Sequence, residues 1–252
     1  MYLYYDESIR TRGGFIVGAL VGSSIDLSKA VRAEWIRLGL NADEFEYKSS
    51  APKSSDVQQA DLRAFINDIL RTNASLALAV LPLECRRDLG LACVRLTEQL
   101  ALKGHLDRNL QHYLYTDNDI KLSSNDIKRL RAINIEPFSD CDSVKIAGIQ
   151  VADHAAHILG SMLLESMGVI QKQVQSSYPE EYRVESVSLG WELWGDIRYN
   201  FFSEVEYDPH DSASAPFAIV EGHGLIIANE CGDRLKENAL RTFGKSYLGC
   251  TV

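Results

Sequence analysis

The 252-residue chain is poor in the residues that mark several protein classes. It has six prolines and 17 glycines, too few for a collagenous or proline-rich low-complexity chain. Its five cysteines, Cys85, Cys93, Cys141, Cys231 and Cys250, are an odd number without a C-x-x-C pair. That fits neither a disulfide framework nor a cysteine-ligated zinc site, and reduced thiols in the cytoplasm are expected. No apolar run approaches the roughly 20 residues that a bilayer span takes, so no membrane association is expected. The first residues, Met1 to Glu7, lack the basic-then-apolar order of a signal peptide. Positive charge is the minority, with 26 Lys and Arg against 35 Asp and Glu, a net −9. Wholesale coating of nucleic acid is therefore disfavoured, although a local basic groove is not. What remains is ordinary globular composition, 46% apolar and 24% charged.

Periodicity predicts a mixed α/β chain. Residues 2–6 read as an aromatic strand ending at Asp6-Glu7, and Gly13-Gly14 supply a turn. Residues 15–21 are the second strand of a hairpin. Apolar spacing predicts helices over 26–38 and from a cap at Ser55 or Asp56 to Asn73, with a loop at 49–54 between them. Glu44–Lys48 alternates like a strand, and residues 74–81 read as a central strand buried on both faces. A long helix is expected over 83–106, and a strand over 111–116 that again ends in acids, Asp117 and Asp119. A basic helix at 126–133, a strand at 135–138 and a helix at 145–167 closed by Gly168 follow. Beyond about residue 169 the character changes: a polar stretch, the aromatic-rich segment 190–202, a loop at 208–216, a hairpin around Gly222-His223-Gly224 and a helix at 233–243.

Several motifs fail on inspection. Gly244-Lys245-Ser246 looks like the tail of a P-loop, but Ala239 stands where its first glycine belongs. Gly222-His223-Gly224 lacks the third glycine of a dinucleotide fingerprint, and there is no G-x-S-x-G or H-E-x-x-H. His154 and His157 are spaced for a metal, but a pair without a third ligand is more often structural.

The distinctive pattern is the joint placement of acids. Asp6 and Glu7 follow one strand, Asp117 and Asp119 another. Asp153 lies on a helix beside the small residues Gly148, Ala152, Ala155 and Ala156. A buried carboxylate is costly unless paired or bound to a cation. Converging carboxylates repel, and a hard divalent ion such as Mg²⁺ relieves that repulsion with oxygen ligands. Two such ions can activate water for phosphodiester cleavage. Singly, each strand-end acid has the plainer reading of a turn former or cap.

The chain resembles the domain-of-unknown-function-3800 family in Tyr4-Tyr5-Asp6-Glu7-Ser8, in Glu46-Tyr47-Lys48, and in Ser143 followed by Gly148-Ile149-Gln150-Val151-Ala152-Asp153. Order and spacing agree over about the first 160 residues, with Ile9 in place of the usual glycine. The resemblance implies an RNase H-like mixed β-sheet flanked by helices in residues 1–168. Residues 169–252 then form a C-terminal α+β extension packed on that core. It also implies a divalent-metal-dependent nuclease using Mg²⁺ or Mn²⁺. Asp6 and Asp153 are then metal ligands, Asp117 a third, and Glu46 or Glu7 a fourth. Lys48 contacts the scissile phosphate or holds Glu46 by a salt bridge, while Gln150 and Ser143 support the ligands.

Nucleic acid is the expected substrate. Arg10 and Arg12 beside Asp6, and Lys121, Lys128, Arg129 and Arg131 after Asp117, are the basic residues expected near the site; exposed surface is the plain alternative. The other function weighed is a non-catalytic module of a phage-defence or mobile-element system that keeps the fold. In that case Trp191, Trp194, Tyr199, Phe201 and Phe202 form a homodimer or partner surface, their plainer role being core packing.

Overall fold

A computed structural model describes residues 1–49, 57–175, 186–203, 218–221 and 223–248. The helix cap expected at Ser55 or Asp56 and the loop expected at 208–216 lie outside these residues, as does all but Ser49 of the loop expected at 49–54. Strand β1 (Tyr2–Arg10) pairs antiparallel with β2 (Phe15–Ser23) across a turn at 11–14. Gly14 in that turn has φ 74°, a conformation glycine adopts without steric cost. The pairing holds its register from Tyr2↔Ser23 to Arg10↔Phe15. Asp6 and Glu7 therefore lie inside the strand and not at its end, because β2 keeps bonding past them.

Helix α1 (Leu27–Arg37) starts where the Asp26 side chain accepts the Ser28 amide, and α2 (Val57–Asn73) follows. Strand β3 (Ser75–Pro82), all but its first residue buried, pairs antiparallel with β2. The single helix expected over 83–106 is a 3₁₀ turn (Leu83–Asp88) followed by α3 (Leu89–Leu102); Cys85 departs from helical angles and breaks the run. Strand β4 (His112–Asp117) runs parallel to β1. Helix α4 (Ser124–Arg131) is fixed by a capping box between Ser123 and Asp126. Strand β5 (Ile135–Cys141) runs parallel to β4, and the long helix α5 (Gly148–Ser166) ends at Gly168, φ 70°.

Next come the short strands β6 (Gln173–Val174) and β7 (Val187–Ser188), paired with each other, and α6 (Leu189–Ile197). The remaining elements are β8 (Ala218–Glu221), β9 (Leu225–Ile227), α7 (Asp233–Ala239), a π-turn (Leu240–Gly244) and β10 (Lys245–Leu248). The expected hairpin around residue 223 does not form. β8 pairs with β10, while β9 joins the open edge of β3 in parallel. A bare strand edge presents unpaired backbone groups, and β9 satisfies three residues of it.

The main sheet thus reads β5-β4-β1-β2-β3-β9, an antiparallel three-strand meander extended by three parallel-paired strands, β4 and β5 beside β1 and β9 beside β3. It is a mixed α/β sheet flanked by helices on both faces, as expected. One face packs Tyr4, Val17, Ala19 and Leu78 against α1, α2 and α5, and the other packs Leu3, Tyr5, Leu20 and Ala79 against α3. The predicted strand at Glu44–Lys48 is absent: residues 45–48 have no regular secondary structure. Their backbone is bonded by side chains of α5 instead of by a neighbouring strand. Among the described residues no helix is long and apolar enough to cross a membrane.

Small residues bring α5 close to the sheet. A Cβ on Gly148 would come within 2.3 Å of Tyr4 Cε1, and Tyr4 is held by its hydroxyl donating to Asp26 at 3.1 Å. Helix propensity alone favours alanine over glycine by about 1 kcal/mol. Gly148→Ala is nonetheless expected to lose roughly 1–3 kcal/mol through overpacking, lowering the melting temperature by about 2–4 °C per kcal/mol. A thermal melt at or above that of the wild-type protein would contradict this contact.

Candidate functional site

Strand register builds the site. Tyr5 of β1 sits opposite Thr116 of β4, so Asp6 and Asp117, one residue on, are neighbours on parallel strands. Side chains alternate across a sheet. Asp6 shares the face of Tyr4, and Asp117 that of Tyr115, whose ring stacks on Tyr4 at 5.5 Å. This is the face covered by α5, which carries Asp153. The three carboxylates expected from sequence therefore converge in charge: Asp117 and Asp153 both act on Asp6.

The Asp6 carboxyl is held well above the ordinary range, first by burial, then by the charges of Asp117, Asp153 and Glu7; the Glu7 amide donating to it at 2.7 Å opposes the shift. Burial also raises Asp117, with the Asn118 amide and Lys48 opposing, and Glu46 and Asp119 adding to it. Glu7 starts from the opposite face, and its carboxylate lies 3.8 Å from Arg86, which also reaches Asp119 at 3.6 Å. Burial raises the Glu7 carboxyl against a hydrogen bond with Asp6 and the Arg86 charge, and its Oε2 is buried without a partner. Glu7 is thus coupled to Asp6 yet anchored on the α3 side.

The segment carrying Glu46 and Lys48 is clamped to α5. Gln150 Oε1 accepts the Tyr47 amide at 2.9 Å and Trp35 Nε1 at 3.3 Å, while its Nε2 donates to the Ser143 carbonyl at 2.9 Å. The Ser49 amide donates to Asp153 Oδ2 at 2.9 Å. Lys48 Nζ lies 2.6 Å from Glu46 Oε1, which also accepts the Ser143 hydroxyl. Lys48 is therefore engaged in a salt bridge, one of its two expected roles. Burial lowers its pKa, but the bond to Glu46 and the charges of Glu46, Asp153 and Asp117 outweigh that and raise it. Gln150 and Ser143 have the supporting place expected of them.

Several other candidates take the plainer of their readings. His154 is buried, with Nδ1 on the Tyr47 hydroxyl at 3.2 Å and Nε2 on Asn67 at 2.6 Å; burial pushes it down to about 3. It is a core residue. Arg129 pairs with Glu98 and Asp126, and Arg131 with Glu136, so these two charges of α4 are spent on the helix surface. Phe201 and Phe202 belong to the core, whereas Trp191 and Trp194 line a cavity of about 390 Å³ between α5 and α6 that none of the site carboxylates reaches. Sequence reading missed Arg63 and the Ser49 amide. Neither carries a signal beyond ordinary helix-surface and loop composition.

No protein-family model matches the chain, and no curated protein matches it. Among solved structures, a chain of the PCNA:RNase HII complex from Archaeoglobus fulgidus is similar, with 15% identity and a TM-score of 0.37 over 67% of this chain and 77% of that one. So slight a likeness adds nothing to the reading of the site, which rests on its residues.

Ionising Asp6 and Glu7 in the folded protein costs free energy, so the sign of the pH dependence follows. Their contribution is most favourable below the ordinary carboxylate value of about 4 and is lost as pH rises through the raised values. In chelator-containing buffer Asp6→Asn is expected to raise the melting temperature at pH 7.5 by about 2–4 °C, roughly 1 kcal/mol. At pH 5 the gain should shrink. No difference from wild type at either pH would mean that the Asp6 charge is not under strain.

Proposed function

We propose that the chain is a divalent-metal-dependent phosphodiesterase acting on nucleic acid, a member of the family whose motifs its first 160 residues resemble. The observation that carries this reading is Asp6: a half-buried carboxylate acted on by the charges of Asp117 and Asp153, with no ion-pair partner among the described residues. Carboxylates so placed raise the energy of the folded chain, and a cation that binds only the folded state offsets that cost.

The donor set fits a hard cation. Asp6, Asp117 and Asp153 offer oxygen alone, the preference of Mg²⁺ and Mn²⁺. Among the described residues no three His, Cys, Asp or Glu side chains are grouped closely enough to enclose an ion by themselves. Mg²⁺ sites commonly use only one or two carboxylates, with water and substrate phosphate completing the shell. In this reading Asp6 and Asp153 are the principal ligands and Asp117 assists. A bound divalent ion would supply an activated water and stabilise the charge on the leaving oxygen.

The remaining groups hold the arrangement. Gln150 fixes the loop that carries Glu46 and Lys48, and the Ser49 amide orients Asp153. Lys48 restrains Glu46 beside Asp117. Glu7, anchored by Arg86, shares hydrogen bonding with Asp6 and serves as an auxiliary acid. No protein nucleophile is required.

The test is hydrolysis of DNA and RNA panels with Mn²⁺, comparing wild type with Asp153→Asn. Loss of about 10²-fold or more in rate is expected, the order associated with removing one preorganised electrostatic contact to the transition state. Equal rates would sink the role of Asp153. Mn²⁺ should also raise the melting temperature of wild type more than that of Asp153→Asn. Absence of both effects would favour the non-catalytic module, the alternative suited to a site that does not enclose an ion.

A further inference from the structure

Beside the carboxylates lies a second group of opposite character. Arg10, at the end of β1, crosses α5: its Nη2 donates to the His157 carbonyl and, at 3.2 Å, to Ser161 Oγ. Gly160 makes room for it, since a Cβ there would stand 2.5 Å from Arg10 Nε. Arg63 of α2 approaches from the other side, donating to the Ser49 carbonyl at 3.3 Å, while the Ser49 amide holds Asp153. His157 lies one turn beyond Asp153 on α5. Burial, then the charges of Arg10 and Arg63, push that imidazole down to about 4.

The electrostatic balance is incomplete. Arg32, Arg37, Arg71, Arg86, Arg129 and Arg131 all have carboxylate partners, but among the described residues Arg10 and Arg63 form no ion pair. Both are half-buried, where an uncompensated charge is expensive. Asp153 is the acid whose charge acts on Arg10, while Arg63 meets the carbonyl of Ser49, the residue whose amide holds Asp153. A guanidinium matches phosphate oxygens bidentately, and a neutral imidazole donates one further hydrogen bond.

We infer that Arg10, Arg63 and His157 form a seat for a backbone phosphate of a nucleic-acid strand, adjacent to the phosphodiester held at Asp6 and Asp153. The inference rests on the proposed phosphodiesterase reading for its ligand, but it concerns binding and not cleavage. The seat positions the strand. It reads no base, because phosphate contacts fix register without carrying sequence. It also gives an acidic protein a short basic stretch where the substrate must lie.

Binding is measured without turnover. Fluorescence anisotropy with 5′-labelled single-stranded 12-nucleotide DNA, and RNA of the same sequence, is followed in EDTA at several salt concentrations. Arg10→Gln and Arg63→Gln are each expected to weaken binding about tenfold, the size of one charge-assisted contact. Each should also lower the slope of log K against log salt by about 0.7. Asp153→Asn should bind as tightly as wild type or more tightly. Arg10 also ties β1 to α5; if Arg10→Gln does not fold by circular dichroism, Arg63→Gln alone decides. Wild-type affinity and slope in the arginine variants overturn the seat, as does failure of wild type to bind either strand. If Asp153→Asn has meanwhile lost hydrolysis, the catalytic reading stands and only the seat is lost. If the arginine variants weaken binding while Asp153→Asn cleaves normally, the seat stands and the role of Asp153 fails.

Discussion

Helix α5 rests on β1 with no side chain at Gly148 and only methyl groups at Ala152, Ala155 and Ala156, and this close approach governs everything around it. It buries the inner face of the meander. It brings Asp153 to the strand that holds Asp6. It places Gln150 where its amide can fasten the irregular segment at residues 45–48. A larger residue at Gly148 would have to displace the Tyr4 ring, and with it the stack onto Tyr115 that aligns β1 with β4. The packing that stabilises the fold and the geometry that gathers the acids are thus one contact.

That gathering has a cost which the fold accepts. Asp6 is half-buried among acids that hold its carboxyl above the ordinary range, and Glu7 and Asp117 are also raised by burial. A core built for stability alone would place apolar side chains of similar size there. Compensation comes from the periphery: Lys48 on Glu46, Arg86 between Glu7 and Asp119, and backbone amides at Glu7 and Ser49. None of these cations pairs with Asp6 itself. Local strain retained at the point where several elements meet is the usual signature of a functional site.

Much of this was legible in the sequence because it rests on local rules. The glycine turn at 13–14, the Asp26 region as a helix start, the doubly buried strand β3 and the small-residue face of α5 all follow from periodicity and residue size. The grouping of Asp6, Asp117 and Asp153 was suggested by the family resemblance and not by periodicity, because the parallel pairing of β1 with β4 leaves no local signal. What escaped depended on partners distant in the chain. Residues 44–48 alternate like a strand, but nothing lies beside them to pair, and Gln150 takes the backbone bond instead. Leu225–Ile227 reads as half of a hairpin, yet the open edge of β3 captures it. The length of β1 was underestimated because acids look like a strand end, whereas the register with β2 carries on to Arg10.

Under the proposed function, the continuation of β1 past its acids reconciles a nucleic-acid ligand with a net charge of −9. Had β1 stopped at Asp6, Arg10 would lie in a loop. Because it continues, alternation puts Asp6, Ser8 and Arg10 on one face, and Arg10 is delivered across α5 two side-chain positions beyond the acid. In the proposed arrangement the same strand supplies a carboxylate for a cation and a guanidinium for an anion, at a spacing fixed by backbone geometry. The overall charge repels phosphate, so attraction has to be local, and the chain concentrates it at that one strand and the facing turn of α5. Affinity from so few contacts is modest and weakens as salt rises. An acidic body with a narrow basic seat releases polyanions readily unless the strand also engages the carboxylate site through a cation, which makes productive binding depend on both halves at once.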